Sequence, residues 1–99
     1  MSDWRQQYKG KLTTADEALK VVKSGDRVVF HVTASEPQIL VKALVDRAPE
    51  LKNVEIVHMY ALGTERPYAT PEYSESFRFN GLFISPPVRR AVNEGYGDY

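Results

Sequence analysis

The stretch Arg27 to Met59 constrains the fold of this chain more than any other segment. Val28-Val29-Phe30-His31-Val32 is a short run of β-branched and aromatic residues, the composition of a buried strand. Ala34-Ser35-Glu36-Pro37 follows as a tight turn, after which Ile39, Leu40, Ala43 and Leu44 recur at helical period. Val54-Glu55-Ile56-Val57-His58-Met59 reads as the next strand. The connection from Val32 to Val54 is long enough for a helical crossover, so the two strands are expected side by side and parallel, as a right-handed βαβ unit. Ser35, three residues before Gln38, gives that helix a capping-box start, with Pro37 in its first turn, and Pro49 marks its end.

The flanking segments extend this pattern. Thr14 and Glu17 have capping-box spacing and Ala15, Ala18, Leu19 and Val22 share a face, which predicts a helix leaving at Gly25. Trp4 and Tyr8, four apart, are expected to anchor an N-terminal helical turn by apolar contact. Gly63 to Tyr73, interrupted by Pro67 and Pro71, reads as loop. Phe77-Arg78-Phe79-Asn80 and Leu82-Phe83-Ile84 form either one strand interrupted at Gly81 or two short ones. Ser85-Pro86 opens a third helix with a capping side chain, running through Val88, Ala91 and Val92 to Gly95. Tyr96 to Tyr99 are expected to add no closing element. The fold class is α/β, an open and mainly parallel sheet with a βαβ crossover. With one such unit in 99 residues, the chain reads as an N-terminal segment of a longer enzyme.

Composition removes several function classes. Thirteen Lys and Arg balance thirteen Asp and Glu, so no net charge steers the chain to nucleic acid or an anionic membrane. The absence of Cys excludes disulfides and Cys-ligated zinc and fits a reducing compartment, with the cytoplasm as default. Charged and amide residues occupy the first eight positions, where an export signal needs an apolar block, and no apolar run approaches the roughly 20 residues of a membrane span. Neither a G-x-G-x-x-G nor a Walker loop occurs.

Ligands of α/β proteins gather outside the carboxyl ends of parallel strands, where a helix N-terminus favours anionic or polarised groups. That makes backbone groups near Ala34 and Ser35 candidate substrate contacts, while the residue ranking at helix starts favours Ser35 as a helix cap, the two roles not excluding one another. Glu36, in the first turn of its helix, is held ionised by the helix dipole and makes a poor nucleophile, so it reads as a helix-terminus or interdomain polar residue. His58 ends its strand at the carboxyl side and is a better site candidate than His31, although a hydrogen-bonded structural role fits both. Two His and no Cys leave zinc short of ligands, and no metal site is expected. Gly63 allows either a turn or close backbone approach to substrate. Tyr68, between Pro67 and Pro71, either covers substrate or packs its loop against a second domain.

In order along the chain, Trp4…Tyr8…Thr14-Ala15-Asp16-Glu17-Ala18, Lys23-Ser24-Gly25-Asp26-Arg27-Val28, Glu36-Pro37…Leu40, Asn53-Val54-Glu55-Ile56, Pro71-Glu72-Tyr73, Phe77-Arg78-Phe79-Asn80-Gly81 and Glu94-Gly95-Tyr96-Gly97 resemble the start of the acetyl-CoA hydrolase/transferase family. The likeness is strongest to its 4-hydroxybutyrate CoA-transferase subgroup and spans nearly all 99 residues. The resemblance implies transfer of coenzyme A between an acyl-CoA and a carboxylate such as acetate, through a glutamyl-CoA thioester on a Glu of the second domain. No Glu of this chain therefore receives the nucleophile role. The segment is expected to supply pocket surface through Ala34, Ser35, Glu36, His58, Gly63 and Tyr68, with coenzyme A as co-substrate and no tightly bound cofactor. Its implied partners are acyl-CoA, small carboxylates, the C-terminal catalytic domain and further copies in a homo-oligomer. Thioester hydrolysis and a stand-alone, non-catalytic α/β binding module are the alternatives.

Overall fold

The computed structural model describes residues 3–63 and 66–99. Thr14 caps as its spacing requires: its Oγ1 accepts from the Glu17 N–H at 3.2 Å. This opens α2 (Ala15–Ala18), which tightens into a 3₁₀ turn over Leu19–Val21. The Arg47 guanidinium donates to the carbonyls of Leu19 and Val22, tying this corner to the far end of the next helix. Strand β1 (Arg27–Phe30) ends before His31 and Val32, and the chain turns through Thr33–Ser35 into α3 (Gln38–Asp46).

The start of α3 departs from the capping-box spacing. Pro37 disfavours helical backbone at the residue before it, and Glu36 is extended, with ψ 122°. The helix therefore begins only after the proline, which is itself the N-cap, and Ser35 caps nothing. Glu36 accordingly lies outside the helix and not in its first turn.

Strands β2 (Val54–His58) and β3 (Phe77–Gly81) follow, and a short β4 (Gly97–Asp98) closes the order β1-β2-β3-β4, every pair parallel. The expected βαβ unit is present, with Val28 opposite Ile56 and Phe30 opposite His58. Strand β3 ends at Gly81, and Leu82–Phe83–Ile84, expected to continue it or to form a second short strand, is not strand. A side chain at Gly81 would sit 2.8 Å from the Phe79 ring, so the position needs glycine. Strand β4 is the closing element that the expectation for Tyr96–Tyr99 omitted. Arg78 donates to both carboxylate oxygens of Asp98 at 2.8 Å and to the Gly95 carbonyl at 3.2 Å, long-range contacts that a two-residue strand needs.

Helix α4 (Pro86–Asn93) starts beside Ser85 as expected, but the Ser85 hydroxyl caps nothing. Pro87 has no N–H to offer, and the Val88 N–H is taken by the Ser85 carbonyl at 3.2 Å. Helix α1 (Trp4–Lys11) forms, capped by Asp3, yet Trp4 and Tyr8 are 63 % and 59 % exposed. The Arg5 guanidinium lies 4.6 Å from the Trp4 ring, and rings this exposed do not supply the apolar anchoring expected of the pair among the described residues.

Burial follows the two-residue period of the strands. Val54, Ile56, Phe77 and Phe79 are buried in one cluster with Leu44, Tyr68, Val88 and Ala91, and His58 on the same face is buried too. The opposite face carries Arg27, Val29, Glu55, Val57, Arg78 and Asn80. Arg27 and Asn80 both donate to Glu55 at 2.7 Å, forming a polar ladder across three strands. Parallel sheets are normally covered on both faces; here Val29 on the open face is exposed.

Candidate functional site at the carboxyl ends of the strands

Two turns meet where β1 and β2 end. The first, Thr33–Ser35, is anchored by the Thr33 N–H, which donates to the Tyr60 carbonyl at 3.0 Å. Thr33 is left-handed, with φ 50°, a costly conformation for a β-branched residue. Ser35 and Glu36 give their N–H groups to the carbonyls of Val32 and Thr33. Among the described residues, no backbone carbonyl engages the Ala34 N–H. Ala34 and Ser35 are exposed. The second segment leaves β2 through Met59, Tyr60, Ala61 and Leu62 to Gly63, which is exposed and has φ 85°. Leu82 and Phe83, after β3, complete the edge by donating to the carbonyls of His58 and Met59 at 3.1 and 3.0 Å.

Glu36, His58 and Tyr68 lie beneath these turns as one linked group. His58 Nε2 is 2.8 Å from the His31 carbonyl, which can only accept, so Nε2 is assigned a proton, and in the tautomer that carries it there Nδ1 is the acceptor. Nδ1 lies 3.2 Å from the Tyr68 hydroxyl, which is also 3.4 Å from Glu36 Oε1. The hydroxyl has one proton for these two acceptors. Burial, and then the neighbouring Glu36 carboxylate, push the Tyr68 phenol well above its ordinary range, so it stays a donor across the working range of pH. Its ring packs edge-on to Phe30 and stacks on Phe79, at centroid distances of 5.2 and 6.2 Å.

The counter-charge is Arg66, which sequence reasoning did not single out. Its Nη2 is 2.9 Å from Glu36 Oε2, with the two side chains 16 % and 0 % exposed, and 2.6 Å from the Leu62 carbonyl. The pair is poorly aligned for hydrogen bonding, leaving Glu36 Oε2 and Arg66 Nε without a hydrogen-bond partner among the described residues. Nothing local in the sequence pairs residues 36 and 66; the parallel register does so, by ending β1 and β2 together.

The structure thus brings all six expected positions to one end of the sheet. Ala34, Ser35 and Gly63 are at the surface, while Glu36, His58 and Tyr68 interlock below. His31 is exposed and contributes its carbonyl. A hollow of about 450 Å³ near Ala48, Lys52, Glu72 and Ser76 opens at the opposite, amino-terminal end, away from this group. Among the described residues no cluster of three metal-ligating side chains occurs, and no helix is long and apolar enough to cross a membrane.

The model of the acetyl-CoA hydrolase/transferase N-terminal domain matches residues 1–99. The chain belongs to the acetyl-CoA hydrolase/transferase family. It is 40 % identical over 97 residues to the 4-hydroxybutyrate coenzyme A transferase of Clostridium kluyveri, covering 98 % of this chain and 22 % of that protein. The butyryl-CoA:acetate CoA-transferase of Anaerostipes caccae is 34 % identical over 99 residues, again with 22 % of its length covered. Among solved structures, RipA from Yersinia pestis superposes with a TM-score of 0.79 at 26 % identity, over 95 % of this chain and 22 % of that one. The chain therefore spans about a fifth of the length of these relatives. As an N-terminal domain of this family, it combines a four-stranded parallel sheet with a polar group gathered at the sheet's carboxyl end.

Proposed function

We propose that this domain forms one wall of the substrate crevice of a CoA-transferase whose nucleophile is a Glu outside these 99 residues. In the reaction, that carboxylate attacks the thioester carbonyl of an acyl-CoA, giving an acyl-glutamyl anhydride and CoA thiolate. The thiolate attacks the glutamyl carbonyl, releasing the donor carboxylate and leaving a glutamyl-CoA thioester. An acceptor carboxylate such as acetate reverses the sequence and leaves as the new acyl-CoA.

Each tetrahedral step places negative charge on a former carbonyl oxygen, which a fixed N–H stabilises by about 2.7–4 kcal/mol in comparable acyl-transfer sites. The Ala34 amide and the Ser35 hydroxyl are the donors assigned here, with Gly63 admitting close approach from the other rim. Glu36, His58 and Tyr68 act from below, holding the two rims in place and closing the floor of the pocket. The observation that carries this reading is the junction of an exposed turn, its Ala34 amide engaged by no backbone carbonyl among the described residues, and a buried polar group at the carboxyl ends of β1 and β2.

A CoA-exchange assay between acyl-CoA and acetate tests it, run on the 99-residue chain and on the same chain extended by the rest of a family sequence. Transfer is expected only from the extended protein. Transfer by the short chain would overturn the placement of the nucleophile. Hydrolysis without transfer by the extended protein would reassign the chemistry to the thioesterase branch.

A further inference from the structure

The crevice proposed above is framed by two segments, its rims, separated by a whole helix and strand in sequence: the turn carrying Ala34 and Ser35 and the segment carrying Leu62 and Gly63. They are joined at the base by the Thr33–Tyr60 backbone bond and again, further along, by Arg66. We propose that Arg66 is a positioning residue that clamps the two rims together, setting the mouth of the crevice through its simultaneous hold on Glu36 and the Leu62 carbonyl. The clamp is read from geometry alone; its catalytic consequence rests on the CoA-transfer reading above.

One guanidinium meets Glu36 Oε2 at 2.9 Å in the first rim, the Leu62 carbonyl at 2.6 Å in the second, and Gln38 Oε1 at 3.5 Å in the first turn of α3. A planar fork fixes several directions at once, which a lysine ammonium does not. Buried ion pairs are poor stabilisers, because desolvation consumes the Coulomb gain unless the remaining lone pairs and protons are satisfied. Here they are not: Glu36 Oε2 and Arg66 Nε have no hydrogen-bond partner among the described residues. A pair so arranged contributes less to stability than to the relative placement of the parts it joins. The Tyr68 hydroxyl, which also reaches Glu36 Oε1, keeps His58 Nδ1 as an alternative acceptor at 3.2 Å.

The test separates placement from stability with three variants of the 99-residue chain: Arg66→Met, Arg66→Lys and the double apolar variant Glu36→Leu with Arg66→Met. Arg66→Met strands a buried carboxylate and is expected to melt early. The double variant removes both charges and is expected to melt at or above the parent. In that double variant, amide hydrogen exchange at Thr33 and Gly63 is nonetheless expected to speed up by about tenfold or more, with core amides such as Ile56 unchanged. Arg66→Lys is expected to fall between the double variant and the parent, since it keeps the charge and loses the fork. In the extended protein the double variant should lower kcat about tenfold or more, with a smaller change in KM, because sub-ångström misplacement acts on the reacting geometry. Parent-like exchange at Thr33 and Gly63 in the double variant would overturn the clamp. If the parent extended protein transfers no CoA, the functional reading falls, while the amide exchange still decides whether Arg66 holds the rims.

Discussion

Replacing Tyr68 with Phe isolates the value of one buried hydroxyl. The ring contacts with Phe30 and Phe79 survive, since both involve the aromatic face and edge and not the oxygen. What is lost is a single donor shared by His58 Nδ1 and Glu36 Oε1, acceptors on residues only 1 % and 4 % exposed. Leaving a buried acceptor unsatisfied costs about 1–3 kcal/mol. One proton serves one acceptor at a time, and the 3.4 Å contact to Glu36 is long, so the loss belongs in the lower part of that range, about 1–2 kcal/mol. Tyr68→Ala also removes the ring and opens a cavity, for a total of about 3–5 kcal/mol. Urea unfolding followed by circular dichroism should show a lower midpoint for Tyr68→Phe at unchanged slope, and a melting temperature lower by roughly 4–8 °C per kcal/mol for a domain of this size. A midpoint equal to or above the parent would mean that the hydroxyl is not engaged, and the link between His58 and Glu36 would have to be abandoned.

Thr14→Ala should cost about 1 kcal/mol by removing a real cap, whereas Ser35→Ala should stay within about 0.5 kcal/mol because Ser35 caps nothing; equal losses in thermal melts would refute the assignment of α3's start. Hydrogen bonds from Asn80 and then Arg27 hold the Glu55 carboxyl below its ordinary range, so the contribution of this ladder is present above the usual carboxylate range and is lost as pH falls through the depressed value. An NMR titration should show the Glu55 midpoint rising in Asn80→Ala, and an unmoved midpoint would count against the ladder. The raised Tyr68 phenol has the opposite sign. Stability should be complete below about pH 10, the ionisation of an unfolded tyrosine, and decline above it as the unfolded chain alone releases the proton. Ultraviolet absorbance should then show one tyrosine ionising only with unfolding; full ionisation of all tyrosines in the folded chain would contradict its burial.

What the sequence determined by itself is the part governed by local chemistry. The Thr14 cap with Glu17 three residues on, the β-branched runs at Val28 and Val54, the apolar stripe of α3 and the crossover length between the strands each depend on residues within a few turns of one another. Together they specify a parallel βαβ unit and, with the ordered motifs, the family. Local signals misled where two of them competed. Ser35 and Gln38 carry a capping-box spacing, but Pro37 restricts Glu36 more strongly than a serine cap rewards the turn. Ser85 stands at the right position for a cap and finds Pro87 where a donor is needed.

The tertiary structure decided everything that needs residues far apart in the chain. Strand β4 is made by the pairing of Gly97 and Asp98 with Phe79 and Asn80, with Arg78, twenty residues earlier, donating to Asp98. Glu36 is buried because β1 and β2 end in register and bring Arg66 and Tyr68 against it, a meeting of positions 30 and 32 residues apart that no periodicity encodes. A carboxylate, a phenol, an imidazole and a guanidinium are individually common in loops and strand ends. Their convergence at one end of a sheet, with the carboxylate, phenol and imidazole buried, links them into a single polar group.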